Sequence, residues 1–380
     1  MPTRLFAQTP QAQSNDAPVP ELSHMLEEIT AVIGTEERTL SGRLLATDTA
    51  GTHLFEERNA TLHQIPSDAV RRRETRNEPF RYLSSEDLSA ELLKQLPGGF
   101  EVTSAGPFLV CSNGSSEYAM YVGELLERVA AEYFEFWKES PVSVSAPAVS
   151  LPVIVFRTPQ QYLEFAHGQH PDIEFTDVPG YYSIRFNQML LPEGIPQDAS
   201  SNRRSLLQYL RNQTRMVETI VHEGVHQLAF NTGLQVRYAD NPLWMVEGLA
   251  VYFEGVSNRG TLLWSGPGLP SRTRLPAFTT AAERGTPALP LDDLISSNAP
   301  FQTSDRVAEA YAEGWALTFY LVRRNREAFD RLTMSVQQRK PVVSVSGDAW
   351  RKEFADAVQQ PPEELEAELI RYMARIRPPR

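Results

Sequence analysis

The sequence predicts an α+β protein in which a small all-β unit precedes a larger domain with a mixed sheet and helices. Three observations lead to this prediction. Short segments with alternating apolar residues, separated by turn residues, fill residues 39–73. Strand and helix patterns then follow one another over residues 99–191, and patterns of helical period dominate the remainder. At 380 residues, the chain is long enough for more than one domain and a substantial core.

The composition divides the chain into three parts. Residues 1–20 are rich in Pro, Gln, Ala and Ser, which is typical of a disordered linker. Residues 21–95 form the β-rich unit with flanking helices, and its short strands predict a small SH3-like barrel of the kind that often serves as an interaction module. Its last helix spans residues 84–95, because Ser84 begins a capping pattern. Residues 96–380 form the larger domain.

Charge and cysteine usage exclude several classes of protein. The net charge is −12 and no Lys/Arg-rich block is present, which argues against a nucleic-acid or anionic-membrane surface. No apolar stretch is long enough to span a membrane, so we expect no stable membrane insertion. The single cysteine, Cys111, excludes an internal disulfide and a cysteine-based zinc site. It lies in an apolar run, which predicts a buried structural thiol.

The polar, Pro/Gln-rich start bears on where the protein works. It contains no apolar core long enough for a secretory signal. Such a tail often follows a removed signal or lipid anchor. We therefore expect an exported protein, in the periplasm, the cell envelope or outside the cell, whose signal precedes this numbering. A cytoplasmic location is the alternative.

The most informative stretch runs from Val217 to Gly233. His222, Glu223 and His226 follow the pattern H-E-x-x-H, and apolar residues recur around them at helical spacing. Residues four apart lie on one helix face, so both imidazoles can reach one metal ion. Glu223 is then placed to touch a water on that metal, as in zinc hydrolases with two His ligands and a carboxylate general base. The alternative is a pair of solvated or hydrogen-bonded helix histidines.

A catalytic zinc site also needs a third protein ligand and one open position. No His follows His226, so this ligand is a carboxylate or another non-His group. Glu247 is the best candidate, because it lies in the middle of a predicted amphipathic helix, where an unpaired carboxylate is costly to bury. Asn241 is the predicted cap of that helix and Pro242 suits its first turn. An ordinary exposed Glu247, or Glu254 as the ligand, are the alternatives.

These residues resemble a known type of enzyme. HEGVH, then WMVEGLAVYFE with twenty residues between His226 and Glu247, is similar to the gluzincin type of zinc metallopeptidase, in which a Glu on the next helix completes a His-His-Glu site. Residues 96–321 more widely resemble an uncharacterised bacterial family of zincin-like proteins. The resemblance implies a zincin-like metallopeptidase fold, with His222, His226 and Glu247 as ligands of Zn²⁺ and Glu223 as general base.

The resemblance also implies where substrate binds. Gluzincin-like folds bind an extended peptide along an edge strand beside the active helix, through main-chain hydrogen bonds. We expect the run from Gly180 to Leu191 to contain that strand, and an interior strand is the alternative. The residues assigned to substrate binding are Tyr181, Tyr182 and Ser183.

A tyrosine is the last candidate for the site. Tyr311, on a helix predicted to begin at Ser304, follows Glu247 at a distance comparable to that of the oxyanion-stabilising tyrosine in some gluzincin families. This implies a catalytic role for its hydroxyl, against a core position. The predicted activity is zinc-dependent hydrolysis of a peptide bond in a peptide or protein substrate. The alternatives are a zincin-fold scaffold with little or no turnover, and an interaction protein that acts through its β unit.

Overall fold

The computed structural model describes residues 24–175, 178–257, 260–282, 288–303 and 305–377. The linker predicted for residues 1–20 and the helix start predicted at Ser304 lie outside these residues. The described chain is mixed α and β, as the sequence predicts. Within it, no helix combines the length and the apolar character that crossing a membrane requires.

The N-terminal unit is an antiparallel sheet of five strands. These are β1 (Met25–Ile33), β2 (Glu36–Thr47), β3 (Thr52–Glu57), β4 (Leu62–Pro66) and β5 (Val70–Pro79), in the order β4-β3-β2-β1-β5. The predicted strands omit β1, which pairs with β2 and β5. One face of this sheet buries a small apolar cluster made of Ile29, Ala31, Leu40, Phe55 and Ile65.

The second sheet belongs to the larger domain. Its strands are β6 (Glu101–Ala105), β7 (Phe108–Ser112), β8 (Leu151–Phe156), β9 (Tyr181–Ser183) and β10 (Gln188–Pro192), in the order β6-β7-β8-β10-β9. Strands β7, β8 and β10 are parallel, whereas β6 and β9 run antiparallel at the two edges. The predicted edge strand between Gly180 and Leu191 is therefore present, as β9. Cys111 on β7 is buried, as expected.

Helices make up most of the rest of the described chain. They are α1 (Ser85–Gln95), α2 (Ser116–Lys138), α3 (Pro159–Gln169), α4 (Arg203–Asn212), α5 (Thr214–Asn231), α6 (Leu243–Phe253), α7 (Arg274–Ala282), α8 (Leu291–Ser296), α9 (Ala299–Gln302), α10 (Val307–Arg324), α11 (Arg326–Gln337), α12 (Gly347–Val358) and α13 (Pro362–Met373). Helix α1 begins as predicted, because the Ser84 side chain accepts a hydrogen bond from the Asp87 N–H.

Two glycines let the central helices approach closely. A Cβ at Gly224 on α5 would lie 2.6 Å from Leu126 Cδ2, so a larger residue here would force the Leu126 side chain on α2 to move. A Cβ at Gly248 on α6 would lie 2.6 Å from the Gly314 carbonyl oxygen on α10. Helices α5 and α6 are consequently enclosed by other elements. They bury nearly every residue over their central turns.

The β unit is fixed to the larger domain by polar contacts. Arg237, in the loop after α5, donates to Glu56 Oε1 at 2.6 Å and to the Ala60 carbonyl at 2.7 Å. The Leu62 N–H donates to the Arg185 carbonyl at 2.8 Å. Because Glu56 and Arg237 are both buried, this ion pair joins the two units at a defined position.

Candidate metal centre

The H-E-x-x-H residues lie in the middle of α5, and Glu247 lies in the middle of α6. Both helices are continuous across these positions, as the sequence predicts. The histidines are four residues apart, so their rings lie on one face of α5 and meet edge to face, with centroids 4.5 Å apart. All four side chains are buried, and Glu247 has no exposed surface.

Three potential donor atoms converge on one point. The two Nε2 atoms of His222 and His226 are 2.9 Å apart. Glu247 Oε2 lies 3.2 Å from the first and 3.6 Å from the second. Ligand atoms bound tetrahedrally at about 2.0–2.1 Å from zinc would lie about 3.3 Å from one another, so these separations suit one shared ion.

The environment of Glu247 supports the same interpretation. Both of its carboxylate oxygens are buried, and among the described residues the polar contacts of Oε2 are with the two histidine nitrogens. Neutral imidazoles do not compensate the charge of a buried carboxylate, and a cation at the point of convergence does. The buried cluster of His222, His226 and Glu247 could therefore hold a metal ion. Within the described ranges, no other group of three His, Cys, Asp or Glu side chains brings its ligand atoms within 4.8 Å of one another.

Glu254 orients the first histidine. It is the residue directly after the end of α6, about two turns from Glu247, and its Oε1 lies 2.7 Å from His222 Nδ1. This contact favours a proton on Nδ1 and directs the Nε2 lone pair towards the cluster, as partners of metal-binding histidines do. Burial opposes the protonation of His222, but its bonds to Glu247 and Glu254 raise its pKa well above the usual value. Glu254 is thus placed as a partner of a ligand, and Glu247 is the ligand candidate.

Glu223 lies next to the cluster but outside it. Its Oε2 accepts a hydrogen bond of 2.8 Å from the Tyr182 N–H on edge strand β9. Burial raises the pKa of Glu223 to about 7, against the opposing effect of His222. The sequence gives no sign of this strand-to-helix bond, because the two residues are far apart in the chain. It fixes the carboxylate beside the site and joins the site to the edge of the sheet.

The cap predicted for α6 is wrong. The Asn241 side chain donates to the Val236 and Ala239 carbonyls and does not cap the helix. Asn298 replaces it, since its Oδ1 accepts from the Leu243 N–H at 2.7 Å. A residue more than fifty positions later in the chain satisfies this helix end, which local sequence patterns cannot reveal.

The three residues assigned to substrate binding direct their side chains into the protein. Tyr181 donates to Gln169 Oε1, Tyr182 donates to Asn187 Oδ1, and Ser183 Oγ lies 3.1 Å from His170 Nε2. All three side chains are buried. Any contact that β9 makes with a substrate therefore comes from its main chain.

Tyr311 lies on α10 and is buried. Its ring packs against Phe301, and the Arg274 guanidinium carbon lies 4.8 Å above the ring centroid. Burial and the nearby Glu254 raise the pKa of Glu218 to about 7, while Arg272 and Arg274 lower it. Glu218 is one helical turn before His222 on α5. Tyr311 itself contacts Phe301 and Arg274, and its catalytic role stays a prediction.

Comparison with known proteins adds one match. Residues 216–343 match the model of a family described as a protein of unknown function (DUF1570). The matched segment contains all three residues of the metal cluster, together with Glu223 and Glu254. A search of curated proteins found no match. The predicted likeness to a family without an assigned function is confirmed for this segment, and the likeness to gluzincins stays a prediction.

Proposed function

We propose that this protein is a gluzincin-like zinc metallopeptidase. The observation that carries the proposal is the buried Glu247 carboxylate, whose polar contacts among the described residues are with two histidine nitrogens. Two imidazoles and one carboxylate on adjacent helices form a three-ligand set, which is the number found in catalytic zinc sites with an open position. The zincin-like fold and the SH3-like form of the N-terminal sheet belong to the same proposal.

Glu223 is the general base in this proposal. A bound zinc supplies Lewis-acid activation of water and of the scissile carbonyl. Glu223 accepts a proton from the attacking water and then delivers it to the leaving amine, so no covalent intermediate forms. The Tyr182 N–H holds one of its oxygens, and the other is left to make the proton transfer. Tyr311 donates to the developing oxyanion.

The main chain of β9 binds the substrate in an extended form. In an antiparallel strand, the N–H and C=O of one residue point to the same side. The Tyr182 N–H faces Glu223, so its carbonyl also points away from the paired strand β10. This carbonyl is the acceptor that the edge offers to an N–H of the substrate, and it selects for a peptide without reading its side chains.

The test compares metal content and turnover in two variants. We expect about one zinc per chain by mass spectrometry in the native protein, and its loss in His222→Ala. Glu223→Gln should keep the metal and reduce hydrolysis of a peptide library by about 10²–10⁴-fold, because the base is lost and the ligands are not. Full activity in Glu223→Gln would exclude this mechanism. Zinc without any hydrolysis in the native protein would favour a scaffold function.

A further inference from the structure

A second cleft lies between the β unit and the larger domain. Its volume is about 640 Å³, which is within the range of roughly 300–1,000 Å³ that is usual for ligand sites. One wall comes from the β unit, with Arg43, Leu45, Glu56 and Leu62, and the other comes from the end of α5 and the end of α11. Boundaries between units are a preferred place for such sites.

The cleft is separate from the metal centre. Phe230, at the end of α5, lines it and lies two helical turns beyond His222, or about 12 Å along the axis. No residue of the metal cluster lines the cleft. A ligand bound here would therefore not occupy the position proposed for the metal or for the reacting bond.

The lining carries an excess of positive charge. Four cationic side chains line the cleft, and Glu56 is the acidic residue of the lining. Glu56 is shared by Arg43 and Arg237, and the guanidinium of Arg339 is paired with Glu353, which lies outside the lining. These pairs leave two positive charges without a counterpart. The whole chain carries a net charge of −12, so a basic cleft in it favours an anionic ligand.

Two cationic groups have donors to spare. The hydrogen bonds of Arg43 within the described ranges use Nε and Nη2, which leaves Nη1. Lys340 is exposed, and no carboxylate of the described residues lies within ion-pair distance of it. These groups belong to opposite walls, because Arg43 lies on β2 and Lys340 follows α11.

The rest of the lining combines an acceptor with apolar surface. Gln337 uses its Nε2 to donate to the Ser143 and Gly233 carbonyls, and no donor among the described residues reaches its Oε1. The apolar part of the lining consists of Leu45, Leu62, Val149, Phe230, Val236 and Pro341. A suitable ligand thus has a negative charge, an N–H or O–H donor and apolar groups between them.

We propose that this cleft binds the carboxyl-terminal end of a peptide. The terminal carboxylate pairs with Lys340, a main-chain N–H donates to Gln337 Oε1, and apolar side chains cover the apolar lining. A simple aliphatic acid shares the carboxylate and the apolar part, but it has no donor along its length. The peptide is therefore the occupant that satisfies all three features of the lining.

Titration calorimetry on the full-length protein tests this site with three probes. They are an N-acetylated tripeptide of leucine with a free carboxylate, the same peptide as its carboxyl-terminal amide, and octanoate. We expect the free acid to bind. The amide and octanoate each lack one charged or polar contact, so their affinities should be lower by about tenfold or more. Equal binding of octanoate would assign the cleft to aliphatic acids and overturn the peptide assignment.

Matched variants locate the binding. Lys340→Glu should weaken binding of the free acid about tenfold or more. Lys94→Glu makes the same charge change at an exposed position on α1, away from the cleft, and should leave the binding of the free acid unchanged. Ala148→Trp fills the cleft from an exposed position and should abolish binding. His222→Ala should keep it, which separates this site from the proposed catalysis. Binding that survives Lys340→Glu and Ala148→Trp, or that is undetectable in the native protein at millimolar peptide, would overturn the proposal.

Discussion

Two buried carboxylates, Glu56 and Glu247, show opposite ways in which a protein treats a negative charge. Both side chains are almost inaccessible, with 2% of the residue surface of Glu56 exposed and 0% of that of Glu247. Glu56 accepts hydrogen bonds from Arg43, from the Tyr82 hydroxyl and from Arg237. Glu247 contacts no arginine, hydroxyl or backbone N–H among the described residues, and its Oε2 faces the Nε2 atoms of His222 and His226.

The difference separates a structural role from a binding role. The charge of Glu56 is compensated by the chain itself, so this residue needs nothing further and holds the two units together. The charge of Glu247 faces two imidazole nitrogens, which supply lone pairs as readily as protons. The two imidazoles and the carboxylate form a set of three metal ligands, and the described part of the protein supplies no permanent positive charge for Glu247. A bound cation explains both features.

The largest expected effect is the loss of metal in Glu247→Gln. A neutral amide removes the charge and one ligand but keeps the shape of the side chain. We expect zinc affinity to fall by 10³-fold or more, or about 4 kcal/mol, since a ligand and its charge are both lost. Zinc titration of the variant and of the native protein measures this effect.

Glu56→Gln is the matched change in the other carboxylate and should have the opposite result. Removing one partner of a buried ion pair leaves cations uncompensated, which costs about 3–5 kcal/mol when the pair is fully buried. Arg43 is partly exposed, so we expect a loss of about 3 kcal/mol in denaturant unfolding, with zinc content unchanged. A loss of zinc without a loss of stability would contradict the division between the two carboxylates.

The contrast also explains which features the sequence could predict. Local helical spacing predicts that His222 and His226 lie on one helix face, with Glu223 beside them. Glu247 is predicted as a ligand because a carboxylate within an apolar helix is unusual. The edge strand β9 lies in the run from Gly180 to Leu191, where the resemblance to gluzincin-like folds implied it. For the two histidines, the information lies within about one helical turn.

Contacts between distant segments could not be predicted in this way. The Tyr182 N–H meets Glu223, Asn298 caps α6 in place of Asn241, and Arg237 meets Glu56, each across a long stretch of chain. Such pairs depend on how helices and sheets pack, and a single sequence carries no periodic signal for them. Strand β1 is absent from the predicted strands for a related reason. Its Glu27 is buried and paired with Arg73 on β5, so β1 lacks the regular alternation of buried apolar and exposed polar residues that predicts a strand.

Glu254 extends the comparison to a carboxylate that acts through a ligand. It contacts His222 Nδ1 and does not belong to the metal cluster. Glu254→Gln keeps a hydrogen-bond acceptor but removes the charge, so we expect zinc affinity to fall by about 10–100-fold, less than in Glu247→Gln. A competition titration against a chelator of known affinity measures this. An unchanged affinity would show that Glu254 does not orient His222.

Glu313 on α10 is an intermediate case, and the change in stability expected from it per pH unit is the smallest effect. It is buried, and the carboxylate accepts hydrogen bonds from the backbone N–H groups of Ala288 and Leu289, without a cation. Burial raises its pKa to about 8, with nearby Glu366 adding to the effect. The folded protein therefore holds this proton more tightly than the unfolded chain does. The stability that the proton gives is present below the unfolded pKa and is lost as the pH rises towards 8.

Glu313→Gln mimics the protonated side chain and removes this dependence. Relative to the native protein, the variant should gain unfolding free energy by up to about 1.4 kcal/mol per pH unit between pH 5 and 8. Glu327→Gln is the control, because Glu327 is an exposed residue on α11, and its difference from the native protein should stay flat over that range. Denaturant unfolding at four pH values measures both. If both variants showed the same slope, the Glu313 carboxylate would be ionised in the folded protein, and the two backbone N–H groups would compensate its charge as fully as the arginines compensate that of Glu56.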